Sequence, residues 1–218
     1  MLLAAVAGLA FLTACAASDD SESNGDSQGS VAVVNGKQIS REDFDEQMEF
    51  ARATYEQQGV AFPAGLELAR LEQQVVKQMI QQELVLAEAD NRDIDASDEE
   101  IQTRYDETAA SFGDEAAFQQ ALAAEGLDEA EVRALLADNI KIQKLLAGVI
   151  SEAGLPAPSE EELRAIYDEY TQQGGTDAFE NVRADLESEA VSRKENAAVV
   201  AFVEQLEADA DVEILLNQ

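Results

Sequence analysis

Carboxylates are the first side chains that could do chemistry here, since 46 of the 218 residues are Asp or Glu. A glycosidase needs two of them at a set distance across a sugar ring, but in a chain this acidic neighbouring carboxylates occur everywhere and their proximity carries no information. Asp93-Ile94-Asp95 opens like a calcium loop, yet the sixth position is Asp98 where the loop needs Gly, and the twelfth is Arg104 where it needs Glu. Ser97, read as the cap of a helix beginning at Asp98, accounts for the same residues better. Histidine and tryptophan are absent. Ser-His-Asp and Cys-His catalysis, His-ligated zinc and the commonest general base are therefore excluded. No P-loop, dinucleotide glycine motif or CxxC occurs, so the residues imply no catalytic site, no cofactor and no metal. Only 14 Lys and Arg oppose the acids, leaving a net charge of −32 and a pI near 4.1. Such a surface repels nucleic-acid phosphates and calls for a saline or alkaline medium to screen its own charge.

The one thiol, Cys15, stands at the end of an uncharged run, Leu2 to Ala14, of thirteen residues. A membrane-spanning helix needs about 20, so the run has the length of a signal-peptide core. Leu12-Thr13-Ala14-Cys15 resembles the lipobox of bacterial lipoproteins. That resemblance implies cleavage between Ala14 and Cys15 and a diacylglycerol on the Cys15 sulfur, whose two acyl chains are enough for stable anchoring where one would be marginal. The departure from the pattern is the missing basic stretch, since Met1 is followed directly by Leu2. Residues 16 to 30 carry Asp19, Asp20, Glu22 and Asp26 with no basic and no large apolar residue, the composition of a flexible acidic tether. The expected division is a signal peptide over 1–14, lipidated Cys15 and tether over 15–30, and a folded body over 31–218.

Hydrophobic residues make up 46% of the chain, too many for a wholly disordered acidic protein, so the charge decorates a folded body. Val31 to Val34, closed by Asn35-Gly36, reads as a strand and tight turn leading to a helix capped by Ser40. That helix spans about 41–58, with Phe44, Met48, Ala51 and Tyr55 on one face; Gly59 to Gly65, with Pro63 inside, ends it. A longer helix over 66–91 carries the broad apolar face of a central element. Capping boxes at Ser97/Glu100 and Ser159/Glu162 start two further helices, and others lie at about 114–125 and 128–150. The 128–150 helix sets Val132, Leu135, Leu136, Ile140, Leu146 and Val149 on one side. From 177 to about 208 one long helix aligns Phe179, Val182, Leu186, Ala190, Ala197, Val200, Val203 and Leu206. Val212 to Leu216 reads as a strand. Two lone strands at opposite ends of a helical chain are stable only if they pair, so 31–34 and 212–216 are expected side by side.

VAVVNGKQISREDFDEQM, together with the helix around QQVVKQMIQQELVLAEADNRDIDASDEEI, resembles the N-terminal domain of SurA-like and PrsA-like extracytoplasmic chaperones, and VEILL resembles their closing segment. The resemblance implies a mainly α domain with a long C-terminal helix and a small β pairing of the two ends. Many relatives insert a parvulin prolyl-isomerase domain before the long helix, where this chain has only Thr171 to Thr176. The missing insert and the missing histidines imply a chaperone module without isomerase activity. The implied function is a lipid-anchored, ATP-independent chaperone that holds unfolded or exported polypeptides outside the cytoplasm, on the outer face of the cytoplasmic membrane as in PrsA-like relatives or, in a double-membrane cell, on the periplasmic side of an envelope membrane. The alternative is a non-enzymatic helical scaffold with one dedicated envelope partner. The family has no substrate motif to carry over. Met48, Tyr55, Phe62, Phe112 and Phe118 are the side chains that could line a concave client surface, although each is a type that more often serves as ordinary core. Clients with basic or apolar segments are favoured by the charge; nucleic acid and nucleotides are not expected as partners.

Overall fold

The structure, a computed structural model, describes residues 29–216. Cys15, Ala14 and nearly all of the tether lie outside the described residues. Three short strands and seven helices follow in the order β1 (Ser30–Val34), β2 (Lys37–Ser40), α1 (Arg41–Gln57), α2 (Leu66–Asn91), α3 (Asp98–Ser111), α4 (Glu115–Glu125), α5 (Glu129–Glu152), α6 (Glu160–Gln172), α7 (Phe179–Asp209) and β3 (Val212–Ile214). The chain divides into two compact units, residues 1–143 with 209–218, and residues 144–208.

In the first unit β1 is the centre of a three-stranded antiparallel sheet ordered β2-β1-β3. The expected union of the two chain ends is present, with Ala32 opposite Ile214, Val33 opposite Glu213 and Val34 opposite Val212. The sheet has one strand more than expected, because Asn35 (φ 50°) and Gly36 (φ 89°) fold Lys37–Ser40 back on β1. Positive φ at both central residues is what a two-residue hairpin needs, and Asn-Gly tolerates it best. Asn35 also ties the ends together: its N–H donates to the Asp211 carbonyl at 2.8 Å, and its Oδ1 accepts from the Asp211 N–H at 2.9 Å. Beyond β3, Leu215 donates its N–H to the Val31 carbonyl at 2.8 Å, and Leu215 and Leu216 are buried.

The core of this unit forms where β1, with Val31 and Ala32 fully buried, meets α2, which buries Val75, Val76, Ile80, Leu84, Val85 and Ala89. A second cluster joins Tyr105 and Ala109 of α3, Phe118 and Leu122 of α4, and Val132 and Leu136 of α5. The helices start where side chains take up the orphan N–H groups. Ser40 accepts from Asp43, Asp114 accepts from Ala117, and Ser97 forms the full reciprocal box with Glu100. Asp128 and Glu131 exchange the same pair of bonds at the start of α5, a box of Asp with Glu.

In the second unit α6, with its own box of Ser159 and Glu162, packs Leu163 and Ile166 against Leu186 and Ala190 of α7. The single apolar stripe expected along α7 is not what the helix buries. Phe179, Val182, Leu186 and Ala190 face inward in its first half, whereas Val200 is 55% exposed and the covered residues of the second half are Val199, Phe202, Val203 and Leu206. At about 100° per residue those two sets are centred roughly 150° apart around the helix. In α5 it is likewise Leu145 that is fully buried, where the expected stripe held Leu146, which is half-buried. A helix that buries different faces along its length defeats a one-stripe reading. The α6–α7 connection is six residues, 173–178, closed by the Tyr170 hydroxyl donating to Asp177 Oδ2 at 2.6 Å.

Candidate functional site

Two helices of the first unit leave a groove between them. On α1, Gln47, Phe50, Ala51, Thr54 and Tyr55 recur at three- and four-residue intervals, which puts them on one face. On α2, Leu71, Val75 and Met79 form a matching stripe with Gln78 and Gln82 at its border. The two faces meet at the deeper side through buried Val75, and an open apolar groove of about 200 Å³, which Ala51 also lines, remains. Phe62, from the loop after α1, packs edge-on against Tyr55 with ring centroids 5.6 Å apart. The Arg52 guanidinium lies over that phenyl, 4.3 Å from its centre. Apolar surface continues past this end: Val60, whose N–H donates to the Tyr55 carbonyl, is half-exposed, and Leu66 at the first position of α2 is 81% exposed.

At its other end the groove runs into a charged depression of about 170 Å³ that shares Gln47, Met79 and Gln82 with it. Asp43, Glu83, Asp90 and Asp138 line this part, with Lys37 and Lys141. Lys37 Nζ closes on Glu83 at 2.9 Å and Lys141 Nζ on Asp90 at 2.8 Å. Burial pushes the Asp138 carboxyl above the usual Asp range; Lys141 and Lys37 oppose that rise, and Asp90 and Glu83 add to it. The hydrogen bond to Asp90 in turn raises the Lys141 ammonium above the ordinary lysine range. The site is thus apolar at one end and carboxylate-rich at the other. It contains no nucleophile paired with a base, and what it offers is adaptable binding.

The side chains singled out from the sequence fall in three places. Tyr55 lines the groove and Phe62 braces it. Met48 is half-buried on α1 outside the groove lining. Phe118 is fully buried among Tyr105, Leu122, Val132 and Leu136, with Phe112 packed against it at 5.2 Å, so in this structure both serve the α3–α5 core. Phe50, Leu71, Val75 and Met79 were missed as groove residues. Phe50 lies off the face read along the 41–58 helix, and Leu71, Val75 and Met79 belong to the apolar face of the 66–91 helix, but an apolar stripe reads the same whether a neighbouring helix covers it or leaves it open. Among the described residues no group of three or more cysteines or acids is placed to hold a metal ion, and no helix is long and apolar enough to cross a membrane.

A family model described as the SurA-like N-terminal domain matches residues 1–146. That span includes both faces of the groove and the carboxylates at its charged end. No curated protein matches the chain.

Proposed function

Because the chain belongs to the SurA-like N-terminal domain family, a chaperone-like and extracytoplasmic family whose partners are polypeptide clients, we propose that it is a lipid-anchored, ATP-independent chaperone that holds exported polypeptides outside the cytoplasm. The observation that carries this reading is the open groove between α1 and α2. It presents aromatic, methionine and aliphatic side chains to solvent at the edge of a folded unit, which suits weak contact with many unfolded sequences. The heavy negative charge around it keeps a protein with exposed apolar surface from associating with itself.

Anchoring rests on Leu12-Thr13-Ala14-Cys15, with Cys15 as the lipidated residue, Ala14 as the last residue removed, and the outer face of the cytoplasmic membrane as the location. The absence of isomerase activity is supported by the sequence, which has no histidine, and by the six-residue α6–α7 connection, where an inserted catalytic domain is found in many relatives. Two measurements test the proposal. Light scattering of a reduced, unfolded client should fall when the purified full chain is added at stoichiometric amounts without ATP, while a prolyl-isomerisation assay on the same preparation stays at background. Globomycin-sensitive incorporation of labelled palmitate, lost in Cys15→Ser, tests the anchor. Unchanged scattering together with saturable binding of one folded envelope protein would replace the chaperone by a scaffold.

A further inference from the structure

The groove and the charged depression are one continuous surface, and their sequence along α2 gives it a polarity. Leu71, Val75 and Met79 lie on the apolar part; Glu83 and Asp90 continue the same stripe into the charged part. Helix α1 runs the opposite way, with Tyr55 beside the apolar end and Asp43 beside the charged end. Resting on the chaperone reading above, we propose that this surface selects client segments in which an apolar side chain is followed or preceded, about four residues away, by a lysine or arginine.

The spacing comes from the helix. Val75 and Glu83 are eight residues apart on α2, about 12 Å at ~1.5 Å rise per residue. An extended peptide covers that distance in about four residues at ~3.3 Å each. The choice of a basic side chain comes from charge. Four carboxylates face two lysines in the depression, and both lysines are already closed on Glu83 and Asp90. A client cation arriving at Glu83 would also meet Asp138, which lines the same depression and whose half-buried carboxylate Lys141 and Lys37 offset only in part. An acidic client side chain at that place would meet like charge both there and in the −32 field of the whole chain.

The test uses the full chain and fluorescein-labelled ten-residue peptides, identical except at one position four residues from a Leu-Phe anchor, where they carry lysine, norleucine or glutamate. Fluorescence anisotropy is expected to rank them lysine, norleucine, glutamate, with lysine at least tenfold tighter than glutamate at 0.1 M salt. Asp138→Asn should reduce the lysine-over-norleucine preference severalfold. Tyr55→Ser should weaken all three peptides alike, with folding checked by circular dichroism. Equal binding of the three peptides by a chain that still suppresses client aggregation would overturn the selectivity and leave the chaperone function standing. A lysine preference that persists in both Asp138→Asn and Glu83→Gln would overturn it too, by assigning the preference to net charge alone. So would a dimer in sedimentation that Tyr55→Ser dissociates, since a second copy would then occupy the groove. Failure to bind any peptide or to suppress aggregation would remove both readings.

Discussion

Replacing Leu215 by Ala tests whether the two ends of the chain close the first unit. Leu215 is 7% exposed and its backbone N–H reaches the Val31 carbonyl, beside Val31 and Ala32, which are fully buried. The substitution keeps that backbone bond and removes only side-chain packing. A buried Leu→Ala change costs about 2–5 kcal/mol through lost transfer energy and the cavity left behind. At the surface edge of a small sheet, where neighbours collapse more easily, about 3 kcal/mol is expected. That is a large share of the roughly 5–15 kcal/mol that holds a typical domain folded. The neighbouring residue is the control: Ile214 is 55% exposed, and Ile214→Ala should stay within about 0.5 kcal/mol. Urea unfolding followed by circular dichroism gives the energies, and hydrogen exchange gives the place. Peptides from β1 and α2 should lose protection in Leu215→Ala while those from α6 do not, because α6 belongs to the other unit. Equal costs for the two substitutions, or a Leu215→Ala cost below about 1 kcal/mol, would refute the pairing of β1 with β3 and the burial argued from it.

Phe118→Ala should cost about 3–5 kcal/mol, since the ring is fully buried between Tyr105 and Phe112; holding activity per folded molecule should not change, which a scattering assay corrected for the folded fraction will show. The Glu162 carboxyl is held down to about 2, first by the Ser159 backbone N–H, then by Lys194 and the Ser159 hydroxyl. Its folded pKa lies below its unfolded one, so its contribution is present above about pH 4.5 and is lost as pH falls towards 2; a carbon-detected NMR titration of Glu162 should place the midpoint near 2. Gly175→Ala should displace Tyr170, because a Cβ there would overlap the phenol ring, and the loss of its bond to Asp177 should appear as a fall of the raised Tyr170 pKa in a spectrophotometric titration. Raising salt from 0.1 to 1 M shortens the screening length from ~10 to ~3 Å and should raise the thermal midpoint of a chain carrying −32 charges; a falling midpoint would show that ion pairs outweigh repulsion.

The chemistry of the chain was decided by composition: without histidine, and with one cysteine, no tertiary arrangement could build the catalysts those residues make. Local signals were nearly as firm. Ser97 with Glu100 and Ser159 with Glu162 start helices because a hydroxyl and a carboxylate three residues apart satisfy each other's backbone donors, a bond within one turn that needs no distant partner. Asn35-Gly36 fixed a turn for the same local reason, and the pairing of β1 with β3 followed because isolated strands cannot stand alone. Burial of a stripe depends on what another element does, and there periodicity stopped being informative. Val200 in the stripe read along α7 is exposed, and Phe118, an aromatic of the type that binding surfaces use, is sealed in a core. Met79 and Leu71, on the broad apolar face of the 66–91 helix, line the open groove. The sequence sets which side chains are apolar and with what period; only the packing of α1 against α2 determines which of those faces stays open to another chain.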